Sequence, residues 1–318
     1  MSAAGDTLRA SLDAEAEQPI GDAAAALVEA IRRRHGAAVA AVLFYGSCLR
    51  RGDPTAAEDP VYDFYLLVDD YRQAYVGALA ALANALLPPN VFYIETAWRG
   101  RTLRAKYAIV SLAQFRRAVS PRAFHSYFWA RFAQPVRLAY MRDAGVRAFV
   151  VAALAEAVTT LAMRVCGLLG DRFTAAEFWT RAFAATYAAE LRAERAGRAR
   201  LVYEADRERY DGLTAPALEA AGLEVAATAD GLLSVHAAAQ ARRSAATAWW
   251  FRRLVGKLLS ILRLIKGVFT FDGGVDYILW KIERHSGVKA TATPWQRRHP
   301  LLAAPGLAWR LYRRGAFR

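Results

Sequence analysis

Tyr45-Gly46-Ser47 follows an apolar run ending at Phe44, and Asp63 stands inside a second apolar run, Val61-Tyr62-Asp63-Phe64-Tyr65-Leu66-Leu67-Val68. A strand that delivers a small pair into a tight turn leaves backbone amides to hold phosphate oxygens, and a carboxylate on the adjacent strand holds Mg²⁺ against them. Gly-Ser pairs also occur in ordinary strand-to-helix turns, and a lone aspartate is often bonded to an arginine or to backbone amides. Asp63 lifts the pair above that background, because an ionised carboxylate among apolar neighbours is costly unless it is paired or holds a metal. The position two residues on faces the same side of a strand, and here it is Tyr65. A metal sphere therefore needs another carboxylate, for which Asp69, Asp70, Glu95 and Glu190 are the candidates.

The elements that position these residues follow from periodicity. Ala26, Leu27 and Ile31 mark an amphipathic helix over Asp22 to His35, and Val39 to Phe44 reads as a buried strand. After the Asp63 strand, Tyr71 to Leu87 is expected to be a helix stopped by Pro88-Pro89, and Val91 to Glu95 and Ala105 to Val110 to be strands turning at Gly100. The expected class is α+β: a flexible segment 1–21, a catalytic module 22–146, a mainly helical domain 147–248, and a basic aromatic region 249–318. Glu204 to Leu233 suggests short helices with a hairpin or wing.

With 318 residues, of which 55% are hydrophobic, the chain has ample material for a core. A net charge of +14 calls for an anionic partner: nucleic acid, nucleotide or an acidic membrane. Cys48 and Cys166 are too few for a disulfide framework and suit a reducing compartment. The first residues lack an apolar core and carry acids, which argues against a secretory or mitochondrial leader, and no uncharged stretch is long enough to predict a spanning helix. The five histidines show no metal-ligand spacing, and Phe271-Asp272-Gly273-Gly274 reads as a turn.

From Trp249 to Lys266, aromatics and aliphatics alternate with cations, and Trp295 to Arg298 and Trp309 to Arg314 repeat the mixture. That is the composition of helices lying at a water–lipid interface, where each cation contributes about 1 kcal/mol near an anionic leaflet. The competing expectation is a helix packed on the preceding domain with its basic face solvated.

The chain resembles the mitochondrial-type phosphatidate cytidylyltransferases, peripheral CDP-diacylglycerol synthases of the polymerase-β-like nucleotidyltransferase superfamily. The resemblance runs from about Phe44 to Gly287. It rests on Tyr45-Gly46-Ser47, Asp63-Phe64 with Val68-Asp69-Asp70, Val91-Phe92-Tyr93, Ala105-Lys106-Tyr107 leading to Val110-Ser111, and Tyr127 through Arg131 to Pro135-Val136. Thr186-Tyr187 with Glu190-Leu191-Arg192, and Lys266 through Thr270, complete it. It implies a polymerase-β-like nucleotidyltransferase domain, a winged-helix-like domain and a C-terminal amphipathic membrane segment. The implied reaction is CTP plus phosphatidate giving CDP-diacylglycerol and pyrophosphate, with Mg²⁺ as cofactor. On that basis Tyr45, Gly46 and Ser47 take the triphosphate, Asp63 takes the metal with Asp69 or Glu190, and Lys106 and Arg131 counter phosphate charge. Arg192 and Lys266 are then candidates for the lipid phosphate. The implied partners are CTP, phosphatidate and an anionic membrane surface; tryptophans clustered beside cations favour that surface over nucleic acid, and the Ala- and Arg-heavy usage without a transit peptide fits a peripheral protein on the cytoplasmic face of a bacterial inner membrane. The chain departs from the pattern at Cys48 and Ala130, which replace glycines, and at Glu190, which replaces aspartate. Nucleotidyl transfer to RNA or protein, or a non-catalytic membrane-associated binding protein of the same fold, are the alternatives.

Overall fold

A computed structural model describes residues 3–50, 59–75, 77–190, 197–228, 230–235, 239–270, 275–276, 279, 282–283, 288 and 290–314. It is an α+β protein, 62% helical and 17% strand. The chain divides into two compact units that are discontinuous in sequence: 1–19 with 111–262, and 20–110 with 263–318. Contiguous domains breaking at 146 and 248 were the expectation. The difference begins at the N-terminus, where the supposedly flexible segment forms α1 (Ala3–Glu17) with Leu8, Leu12 and Ala16 buried. Apolar residues four apart share one helix face, which gives α1 a stripe to bury.

The first unit packs α1 on α7 (Ala144–Val165) and α10 (Arg207–Ala220). Glu15 of α1 ties them together: it accepts the Val136 N–H at 3.1 Å from β5 (Val136–Met141) and the Arg209 Nε–H at 2.5 Å. α7 passes a length-and-composition test for crossing a membrane, but it carries Arg147, Glu156 and Arg164, and 67% of its most apolar stretch is buried inside the protein. α8 (Ala175–Ala188) begins in a capping box, Thr174 bonding Glu177 in both directions, and places Trp179 at the centre of the unit with its indole N–H on Tyr210 O and Thr214 Oγ1, each at 2.9 Å. Burying an aromatic side chain of this size stabilises by roughly 1.5–3 kcal/mol. A hairpin of β7 (Ala226–Ala227) and β8 (Leu233–Ser234) pairs with β6 (Arg172–Phe173), at the place where the sequence suggests a hairpin.

α11 (Ala239–Thr270) starts in the first unit. Trp249 and Arg252 face inward, the indole N–H on Arg164 O (2.8 Å) and the guanidinium Nε–H on Phe124 O (2.9 Å). Burial, then the Arg164 charge, lowers the Arg252 pKa to about 10. Trp250, Phe251, Leu254, Leu258, Ile261 and Leu262 face outward. The buried cation is satisfied by a carbonyl, and the apolar stripe is exposed with Arg253 and Lys257 alongside.

The second unit holds α2 (Asp22–His35), β1 (Val39–Tyr45), β2 (Val61–Val68), α3 (Tyr71–Ala74), α4 (Ala78–Leu86), β3 (Asn90–Trp98) and β4 (Arg101–Ser111). Its strands hydrogen-bond in the order β3-β4-β2-β1, with β1/β2 and β3/β4 antiparallel. The expected helix over Tyr71 to Leu87 is split, because Tyr75 and Gly77 are extended. Asn84 holds the second piece to the sheet by donating to Tyr75 Oη and Ile109 O at 2.9 Å each and accepting from the Asn90 N–H. Further along, helices Pro294–Arg298 and Pro300–Arg313 follow, and Leu311 and Ala303 of the latter are buried.

Candidate active site

The β1/β2 register sets Tyr45 opposite Asp63, so the chain leaves β1 directly beside the aspartate. Gly46 then turns with φ +89°, and a Cβ built on it would lie 3.3 Å from Asp63 Oδ2. Both the left-handed backbone and the crowding restrict this position to glycine. The following residues form a single 3₁₀ turn, Ser47–Arg50, closed by Leu49 N–H on Gly46 O at 3.2 Å. Cys48 is buried and its thiol donates to Val61 O (3.3 Å), which fastens the turn to the start of β2 and leaves Ser47 exposed.

β4 lies on the other side of β2 and brings Lys106 Nζ to 3.5 Å from Asp63 Oδ1, with about 30% of each side chain exposed. A carboxylate and an ammonium thus meet beside a glycine turn at an open margin of the sheet. Tyr65 shares the Asp63 face but is fully buried, its ring 5.2 Å from that of Tyr45, so it fills the core end of the face.

Beside this pair lies a cluster missed at the sequence level. Arg104 Nη1 donates to Asp59 at 2.6 Å and Arg104 Nε to Glu95 at 3.1 Å, while Tyr93 Oη donates to the same Glu95 oxygen at 2.7 Å. Glu95 pairs with Arg104 and Tyr93 with Lys106 across the β3/β4 ladder. Burial, then Glu95, raises the Tyr93 pKa strongly. The signal was available in the alternation Arg104-Ala105-Lys106, which puts both cations on one strand face. Glu95, a candidate metal ligand, is here engaged by Arg104 and Tyr93.

The other expected residues are placed as follows. Asp69 comes six residues after Asp63 just beyond the end of β2, about 20 Å along an extended strand, so the two do not converge on one ion. Asp70 caps α3, accepting the Arg72 N–H at 2.9 Å. Lys266 donates to Pro89 O at 2.9 Å and to Leu87 O, and burial followed by the Arg263 charge lowers its pKa to about 8. Its observed contacts are backbone carbonyls after α4. Arg131 and Glu190 belong to the first unit: Arg131 stacks over the Tyr127 ring at 4.7 Å, and Glu190 follows α8 with its N–H on Tyr187 O at 3.0 Å. Arg192 and Phe271 through Gly274 lie outside the described residues. Among the described residues no group of three or more His, Cys, Asp or Glu converges. His35 hydrogen-bonds Tyr107 Oη at 3.0 Å. Burial, then Arg34, lowers its pKa to about 4.

Comparison with protein-family models returns no match, and comparison with curated proteins returns none either.

Proposed function

We propose that the protein is a nucleotidyltransferase of polymerase-β-like fold that transfers a cytidylyl group from CTP to phosphatidate, and that its helical unit is winged-helix-like. The observation that carries this reading is the Gly46 turn closed against Asp63, with Lys106 at 3.5 Å. A hard carboxylate oxygen and an ammonium side by side beside a glycine turn suit a triphosphate and its Mg²⁺.

The donor set fits magnesium in its usual form. Mg²⁺ commonly takes one or two carboxylates and completes its sphere with substrate phosphates and water, so Asp63 would hold it without further carboxylates. When bound it supplies charge neutralisation at the phosphates. The protein's own residues do the positioning: Gly46, lacking a side chain, allows close backbone approach of the triphosphate; Ser47 offers its exposed hydroxyl; Lys106 counters negative charge. In the reaction a phosphomonoester oxygen of phosphatidate forms a bond to the α-phosphorus of CTP as the bond to the bridging oxygen breaks and pyrophosphate leaves. The nucleophile is already ionised, so no general base is required.

Support for a lipid acceptor comes from the outward stripe of α11, Trp250, Leu254, Leu258 and Ile261, with exposed Arg253 and Lys257 alongside. Aromatic and aliphatic side chains interspersed with cations suit an anionic bilayer surface. The test is Mg²⁺-dependent pyrophosphate release from CTP, measured with phosphatidate vesicles, with phosphatidylcholine vesicles and with RNA. Release that requires phosphatidate is expected; release driven by RNA, or none under any condition, overturns the reading.

A further inference from the structure

α4 reads Ala-Leu-Ala-Ala-Leu-Ala-Asn-Ala-Leu and contains no charged residue. Its one strongly polar side chain, Asn84, is fully buried and saturated by Tyr75, Ile109 and Asn90, whereas Leu79, Leu82 and Leu86 are 80%, 55% and 76% exposed. Spacings of three and four place the three leucines on one face. The helix is thus amphipathic in the reverse sense for a surface in water, polar inward and apolar outward.

Three features of the same unit indicate what covers that face. Lys266 and Arg263 donate to the carbonyls of Leu87, Pro88 and Pro89, so two cations stand at the C-terminal end of α4. The segment 263–318 carries eleven Lys or Arg against three Asp or Glu. Helix Pro300–Arg313 exposes Trp309 and Tyr312, stacked at 6.0 Å, with Arg310 and Arg313 next to them in sequence. Leucines, interfacial aromatics and excess cations complement a surface that is apolar inside and negative outside. β3 begins after only Leu87, Pro88 and Pro89, and its first residue, Asn90, pairs with Ile109, three residues or about 10 Å along β4 from Lys106.

We propose that α4 is a membrane-docking element that inserts its leucine face into an anionic bilayer and seats the Asp63–Lys106 pair at the level of the lipid head groups. The proposal rests on the reading that this pair acts on a lipid phosphate, and it adds the surface that delivers the lipid.

The test uses the full chain with Leu82→Cys labelled by an environment-sensitive nitrobenzoxadiazole dye, the native Cys48 and Cys166 being buried. Leu201→Cys, an exposed leucine of the other unit, is the control. With mixed phosphatidylcholine and phosphatidate vesicles the Leu82 label should brighten several-fold and be quenched by brominated acyl chains, while the Leu201 label stays unchanged. The combined Leu79→Ser, Leu82→Ser and Leu86→Ser variant should lose at least about tenfold in vesicle partitioning. A Leu82 label that stays dim while the protein cosediments with vesicles, or a protein that does not bind them, overturns the proposal. Brightening on raising protein concentration without lipid also overturns it, because the face then binds a second copy. No nucleotide is present, so loss of the CTP reaction alone would sink the nucleotidyl-transfer reading and leave this result standing.

Discussion

Gly46 is the residue on which the site turns, since its positive φ and the 3.3 Å approach to Asp63 Oδ2 leave no place for a methyl group. Gly46→Ala is expected to lower kcat/KM for CTP by about a hundredfold or more, read in a steady-state pyrophosphate assay, together with a lower melting temperature from the strained backbone. Lys106→Met should cost on the order of 10²-fold in the same assay, mainly in kcat, because the cation's charge matters most where phosphate charge develops. A separate residue-scale test concerns acid stability. His35 has its pKa lowered to about 4 from 6.5, so it is neutral in both states above 6.5, and the unfolded chain alone gains a proton between those values. Stability therefore falls as pH drops through that window. His35→Gln should flatten that limb in urea titrations at several pH values, and an unchanged slope would show that other groups set it. At this scale Gly46, Ser47 and Asp63 were legible because each is an exception to its apolar surroundings. Lys266, whose observed partners are carbonyls, was less legible: a cation in sequence carries no mark of whether a phosphate or a carbonyl will take it.

At the scale of elements, helix packing rests on one close approach. A Cβ on Gly256 of α11 would lie 2.1 Å from Ala189 O, so α11 passes the end of α8 at backbone contact. Alanine normally favours a helix interior over glycine by about 1 kcal/mol. Here Gly256→Ala should destabilise by roughly 1–3 kcal/mol instead, seen as a lower midpoint in thermal or urea unfolding. A stabilised variant would mean that the approach is looser than described. The sequence marked α2 to the residue and the four strands within a few residues, because their apolar periods are regular and bounded by Gly and Pro. It missed the break between α3 and α4, where Tyr75 and Gly77 are extended and Asn84 holds α4 to Ile109 of the sheet. It also missed the outward apolar face of α4, since a helical period fixes which residues share a face and not which face points outward.

For the whole molecule, the discontinuous units were hidden because association of distant segments leaves no local signature: α1 reaches the helical unit through Glu15, and Arg263 and Lys266 tie the last segment to the carbonyls after α4. The charge of +14 was visible from composition and implies a bulk property. Binding to anionic vesicles should weaken steeply between low and physiological salt as surface charges are screened, while partition that ignores salt would point to apolar insertion alone. The central claim, that Asp63 beside the Gly46 turn serves transfer of a cytidylyl group to a lipid phosphate, is tested most directly with CTP labelled at the α-phosphate and phosphatidate vesicles. Wild-type protein should move the label into the organic-extractable lipid fraction and Asp63→Asn, folded and vesicle-bound, should move none; label that stays aqueous with the wild type, or equal transfer by the variant, would contradict the account.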